Sequence, residues 1–504
     1  PSAEGPHPDG PTPPAPAPPP GGPAWAPEES APPDHTRPAW LPGGGAAPPG
    51  TDRPEPPPAW RGRPLLVLLA LALVAALAGT GLALRGERRQ APSATSVAAA
   101  PSSTTAAPTT TRPPVAATRT PAAVRAVQAD VAELRGLRFR HPVPVTIESP
   151  AKLARRLLRT LDAETDEADE ARQGRALAVL GELPLGTDLP WLRRQIQAES
   201  VLGFYLPGRP PKGRLFVRSS RGLDPYAKVV LAHELTHAVT DQHYDLTRSD
   251  RLAAATGRDD EQTAYAALVE GDATLVMQRY LRERLTAAER VAAGQASAGD
   301  RTPRRDAAPA VIREPMLFPY REGLRFVFLL YQAGGWAAVD RAYRDPPTST
   351  EQILHPDKYL ARRDRPQQVT VPDLSARLGG GWRSATQIGF GELDLRLLLE
   401  TKLPQATAEA AAAGWDGARL RSFERGGRTA LVLRTVWDST AEAAEFCTAA
   451  TRWATARFGA PTAPRRWSGR GQHTALRCQG PRAALLSAPD QQTFQRLLAA
   501  TPRP

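Results

Sequence analysis

Residues 233–237 read His-Glu-Leu-Thr-His, set between the apolar runs Val229–Ala232 and Ala238–Val239. On a helix, positions i and i+4 lie on one face a turn apart, so His233 and His237 can reach one metal ion. Glu234 follows the first histidine by one residue and can stand beside the open coordination position. Zinc lowers the pKa of a water there toward neutrality, and a carboxylate can take its proton as it attacks a carbonyl. The pattern implies metal-assisted hydrolysis, most often of a peptide bond.

A catalytic zinc site takes three protein ligands and keeps one position open. Two residues qualify as the third. Glu270 lies 33 positions beyond His237, in Ala-Leu-Val-Glu-Gly-Asp-Ala-Thr at 267–274. It sits inside a Pro-free stretch of helical periodicity over about 260–284, sharing a face with Ala266, Ala267, Ala273 and Thr274. Small neighbours admit a second helix closely, and a carboxylate in so apolar a place is costly unless paired or metal-bound. The alternative is His243, six residues beyond His237. On a continuing helix it would lie about 240° around from His237, facing away. A glycine would let the chain turn back, but Thr240 holds that position.

From His233 to Asp241 the string resembles, residue for residue, the zinc helix of thermolysin-like metallopeptidases. The Glu-Gly-x-Ala pattern at Glu270 is similar to the gluzincins, whose third ligand is a glutamate. This resemblance, which covers roughly residues 200–280, implies zinc held by His233, His237 and Glu270, with Glu234 as general base. The spacing of His243 matches the metzincin pattern HExxHxxGxxH without its Gly, which keeps a metzincin-like site as the alternative. In thermolysin-like enzymes an Asp four residues after the ligand Glu orients a ligand histidine; here that place holds Thr274. Thr274 itself or Asp241, one turn beyond His237, is expected to orient a histidine instead, as second-shell partners do. Asp272 points elsewhere on the helix.

The elements that would position these residues follow from the flanking sequence. Val201–Pro207 and Arg214–Arg218, separated by a Gly/Pro-rich turn, read as a hairpin. Leu215–Arg218 is the expected strand along which a substrate could lie extended. Residues 285–308 lack an apolar stripe and read as a mobile insertion. Order resumes at Pro319, with an apolar run from Leu324 to Tyr331, a turn at Gly334-Gly335 and a helix to about Tyr343. A Ser/Thr cap ahead of Glu351 opens another helix. His355, Tyr320 and Tyr331 are of the right type to stabilise an oxyanion, and no spacing rule selects among them. Residues 382–504 read as a small α+β module, with strands at Val432–Val436 and Thr474–Cys478 and helices at Ser439–Phe458 and Gln491–Ala500.

Residues 65–84 are uncharged and apolar, the length of a bilayer-spanning helix. The chain therefore divides into a Pro-rich tail (1–63), a transmembrane helix (64–85), an Ala/Pro/Ser/Thr-rich stalk (86–121), a catalytic domain (122–381) and the module (382–504). Arginines flank the apolar segment on both sides, so charge asymmetry does not orient it. The stalk and the only two cysteines, Cys447 and Cys478, favour an extracytoplasmic catalytic domain, because a disulfide persists only under oxidising conditions. Two free buried thiols are the alternative. Pro-Ala-Trp recurs at Trp25, Trp40 and Trp60, a repeat that a cytoplasmic partner of the tail could read. Net charge is +12, but no nucleic-acid motif accompanies it, so no nucleic-acid partner is expected. The sequence is thus expected to encode an α+β protein with gluzincin-like lobes, the second lobe mostly helical. Its expected function is that of a membrane-anchored zinc metallopeptidase acting on peptides or proteins. The competing expectation is an inactive zinc-binding scaffold.

Overall fold

A computed structural model describes residues 68–71, 122–162, 166–207 and 213–501. By its contacts the chain separates into two units, Pro1–Ala59 and Trp60–Pro504, and every described residue belongs to the second. The fold is mixed α+β. It begins with the strand β1 (Leu68–Leu71), then α1 (Ala122–Arg135), β2 (Val145–Glu148), α2 (Pro150–Asp162), α3 (Glu167–Leu180) and α4 (Leu189–Ser200). The strands β3 (Val201–Leu206) and β4 (Arg214–Arg218) follow, then the helices α5 (Pro225–Tyr244), α6 (Asp259–Glu283), α7 (Ala287–Gly299), α8 (Ala310–Arg344) and α9 (Thr350–Leu354). The last part comprises β5 (Arg383–Gly389), α10 (Glu392–Glu400), α11 (Gln405–Ala412), β6 (Trp415–Arg425), β7 (Arg428–Trp437), α12 (Thr440–Phe458), β8 (Arg466–Gly469), β9 (Gln472–Gln479), β10 (Arg482–Ala488) and α13 (Gln491–Ala500).

The motif helix α5 starts where the sequence provides a stop and a cap. Asp224 accepts from the Ala227 N–H at 2.8 Å, and Pro225 occupies the first helical position, where its missing N–H is no loss. Every residue from Val229 to Thr240 is buried, so α5 runs through the core rather than along its surface. Fully buried side chains such as Leu231 and Leu235 each stabilise the fold by about 1.5–3 kcal/mol. The helix ends at Asp245, which takes a left-handed conformation with φ 53°. α6 carries Asp259, Asp260 and Glu261 in its first turn, complementing the positive end of the helix dipole. Its residues Ala267–Met277 are all buried.

α6 meets α8 backbone to backbone. A Cβ on Gly271 would lie 2.2 Å from the Gly323 carbonyl oxygen, and one on Gly323 would lie 2.2 Å from the Ala267 oxygen. Only glycine at both positions permits this crossing. α8 is interrupted at Gly334 and Gly335, where the backbone leaves helical geometry; Gly335 has φ 61°. The expected turn is therefore present, and the order expected from Pro319 extends back as helix to Ala310.

The small sheet has the order β1-β3-β4-β2. The expected hairpin is there, with β3 antiparallel to β4, but β4 also pairs in parallel with β2. Both edges of Leu215–Arg218 are filled, so this segment cannot accept a substrate strand. β1 lies antiparallel along the outer side of β3, with Ala70 opposite Gly203. The sequence reading expects helix across 64–85; over Leu68–Leu71 the chain is extended instead. Periodicity cannot separate a short apolar strand from a helix, and an open sheet edge supplies backbone partners. The rest of 64–85, the tail 1–63 and the stalk 86–121 lie outside the described residues. Among the described residues no helix is long and apolar enough to cross a membrane.

The stretch 285–308, expected to be a mobile insertion, instead carries the helix α7 and a short helical turn at Pro303–Asp306. Thr286 and Glu289 form a reciprocal capping box at the start of α7. Ala293 is fully buried, and Lys228 of α5 donates to Glu289 at 2.8 Å. An alanine-rich face leaves little apolar stripe to read, yet it is enough to seat a helix closely.

The C-terminal part is a six-stranded antiparallel sheet of order β5-β6-β7-β10-β9-β8. α10, α11 and α12 cover one face through Leu398, Ala411, Phe446 and Trp453. α13 covers the other through Phe494 and Leu497. The expected strands and helices there all form. The module does not close at residue 382, however: Ala176, Val179 and Leu180 of α3 complete one face, and Val371, Leu374 and Leu378 the other.

Candidate metal centre

α5 presents His233 and His237 on one face, and α6 brings Glu270 to them. His233 Nε2 lies 3.1 Å from Glu270 Oε2, His237 Nε2 lies 3.4 Å from the same oxygen, and the two Nε2 atoms are 3.1 Å apart. Ligands bound at roughly 2.0–2.1 Å on a tetrahedral zinc stand about 3.3 Å from each other, so the donor set has the spacing that such an ion requires. All three residues are buried, and all their donor atoms lie within 4.8 Å of one another. Burial holds the His233 imidazole below its ordinary pKa, which keeps it neutral and able to ligate. Burial would raise the Glu270 carboxyl, but His237 and His233 beside it prevail and bring it down to about 2. A neutral imidazole and an ionised carboxylate are the forms a metal binds.

Glu234 is fully buried. The backbone of β3 passes directly over it: a Cβ on Gly203 would lie 3.1 Å from Glu234 Cγ and 3.0 Å from Val230 Cγ1. The base candidate is thus clamped between α5 and β3, with Gly203 leaving the room it needs.

The remaining sequence candidates separate cleanly. His243 lies at the exposed end of α5, where its Nε2 hydrogen-bonds the Arg138 carbonyl at 2.9 Å, so it is no part of the cluster. The helix does continue past Thr240, and that carries His243 away from the face of His237. Asp241 accepts from the Tyr205 hydroxyl at 2.9 Å and from the Leu246 N–H at 2.8 Å, fastening the helix end to β3. Among the described residues, neither the Thr274 hydroxyl nor His233 Nδ1 has a hydrogen-bond partner. His355 pairs with Glu392 at 2.9 Å, and Tyr331 packs edge-on against Trp336. Tyr320 is the one of the three aromatic or imidazole candidates that reaches the cluster. Its ring lies over His233 with centroids 6.1 Å apart and planes 25° from parallel.

Among family models, one described as a domain of unknown function, DUF8575, matches residues 382–498. No curated protein and no solved structure matches the chain. The matched segment is the β5-to-α13 sheet module and contains none of the clustered residues.

Sequence reasoning missed two contributors to the site. Gly323 sets the α6–α8 crossing and lies one turn from Tyr320, so it determines where that ring sits. Its signal was the Gly in Pro319-Tyr-Arg-Glu-Gly, legible only once Gly271 was known to face it. The other is the buried charge network around Asp272, with Arg135 and Tyr343 on it.

Proposed function

We propose that the chain is a zinc-dependent metallopeptidase of the gluzincin type. One observation carries this reading: residues 33 positions apart converge to place two imidazole nitrogens and a carboxylate oxygen 3.1–3.4 Å from each other in the buried interior, with a buried glutamate next to the first histidine. Burying such a group is costly without a cation to satisfy it. His233, His237 and Glu270 would hold the metal. When bound, zinc supplies Lewis acidity that lowers the pKa of water and polarises a carbonyl. Glu234 would accept the proton of the attacking water and return it to the leaving amine. Tyr320 would donate its hydroxyl to the developing oxyanion. The strand offered to an extended substrate would be β3, which runs over Glu234. Its outer edge pairs with Leu68–Leu71, so a peptide laid there would replace that segment.

We place the catalytic part outside the cytoplasm, tethered to the membrane through 64–85, with Leu68–Leu71 leaving the edge of β3 when that segment spans the bilayer. The Cys447–Cys478 disulfide between α12 and β9 supports this, since such bonds persist in oxidising compartments. The deciding experiment is Glu234→Gln in the full chain. The variant should retain zinc yet cleave a peptide library at least ~10²-fold more slowly. Cleavage at the parental rate would reject the hydrolase reading. A parent that holds zinc and cleaves nothing would make the chain a zinc-binding scaffold.

A further inference from the structure

Three consecutive residues of α6 face three different ways. Glu270 faces the metal cluster, Gly271 faces α8, and Asp272 faces the side where α1 and the far end of α8 pack. Asp272 is completely buried, as is Arg135 at the end of α1. Arg135 Nε lies 2.8 Å from Asp272 Oδ1 and 3.0 Å from Oδ2, and its Nη2 lies 2.8 Å from Asp340 Oδ1. The Tyr343 hydroxyl donates to Asp272 Oδ2 at 3.0 Å, and the Thr240 hydroxyl to the same oxygen at 3.3 Å. Thr240 stands three residues past His237, on the metal helix itself. The arginine is further held over the Trp336 ring at 4.5 Å. Trp336, Asp340 and Tyr343 all belong to the part of α8 beyond the Gly334-Gly335 break, so that break brings them here.

We infer that Asp272 is a positioning residue for the metal centre: it ties α6 to α5 through Thr240, and to α1 and α8 through Arg135 and Tyr343, so that Glu270 meets His233 and His237 at ligating distance. The inference rests on the proposed metal site and extends it. Breaking a fully buried ion pair on one side leaves an uncompensated charge, so this carboxylate is held in one place. Outer-shell partners of this kind typically govern metal affinity 10–100-fold.

The test uses the full chain with zinc and cobalt as probes. Asp272→Asn preserves shape and removes the charge. Zinc affinity by chelator competition should fall by ~10–100-fold, and the visible absorption of the cobalt-loaded protein at saturation should shift. The far-UV dichroism of the metal-free protein should stay parental. Tyr343→Phe, which keeps the charge and deletes one hydrogen bond, should weaken zinc by several-fold and decides the matter should Asp272→Asn not fold. Parental zinc affinity and an unaltered cobalt spectrum in the folded variants would overturn the inference, even with a lowered thermal midpoint. His237→Ala serves as the control for the site itself: if it binds zinc like the parent, the proposed metal centre fails and this inference with it.

Discussion

His233 and His237 owe their shared face to helix periodicity, and nothing beyond α5 is needed to align them. Glu270 differs, because its role depends on α6 crossing α5 at one depth and one rotation. The roles separate by mutation. Glu270→Ala should lose zinc by metal analysis after dialysis, whereas His243→Ala, at a residue bonded to the Arg138 carbonyl, should retain it. The opposite pair of outcomes would remove Glu270 from the ligand set. Tyr320→Phe should leave zinc content unchanged and lower kcat by about 10²-fold with little change in KM, the scale for one oxyanion donor. An unaffected kcat would make Tyr320 a packing residue against His233.

At the scale of elements, the junction between α6, α9 and the start of α10 concentrates buried carboxyls. Asp260 accepts from the Thr350 N–H at 3.1 Å and from its hydroxyl at 2.6 Å, with Gly391 packed against it. Burial pushes Asp260 up to about 8, Asp394 up to about 7 and Glu351 up to about 9. Each binds its proton more tightly folded than unfolded. Their contribution to stability is therefore fully present below about pH 4 and is lost as pH rises through about 7–9. The thermal midpoint of the metal-free chain should fall from pH 6 to pH 9, and Asp260→Asn should flatten that fall. A midpoint that rises over this range, or a slope unchanged in the variant, would contradict the assignment. The module beginning near 382 also borrows α3 for its core, and no local pattern in 167–180 announces a partner sheet more than 200 residues away.

For the whole molecule, the disulfide and the segment 64–85 bear on topology. Protease added outside intact cells should release a zinc-containing fragment by cutting between about residues 91 and 121. Cys447 and Cys478 should resist alkylation until reduced. Cutting only after lysis, with both thiols freely alkylated, would place the domain in the cytoplasm and leave the metal chemistry standing. The sequence by itself determined what short-range spacing encodes: the histidine pair with Glu234, the Ser/Thr cap of α9, the hairpin β3–β4 and, in the last module, the strands β7 and β9 and the helices α12 and α13. It also singled out Glu270, because a carboxylate in an apolar helix demands a partner. Tertiary structure alone decided what depends on two distant segments meeting. It brought Tyr320, rather than His355 or Tyr331, against His233, laid β3 rather than β4 over Glu234, and seated the helix Ala287–Gly299 on α5. It also assembled Arg135, Thr240, Asp272 and Tyr343 around one buried carboxylate. The physical reason is that periodicity fixes which face a residue occupies, while its neighbour on that face depends on the depth and angle at which helices cross, here set by Gly271 against Gly323 and by the break at Gly334-Gly335.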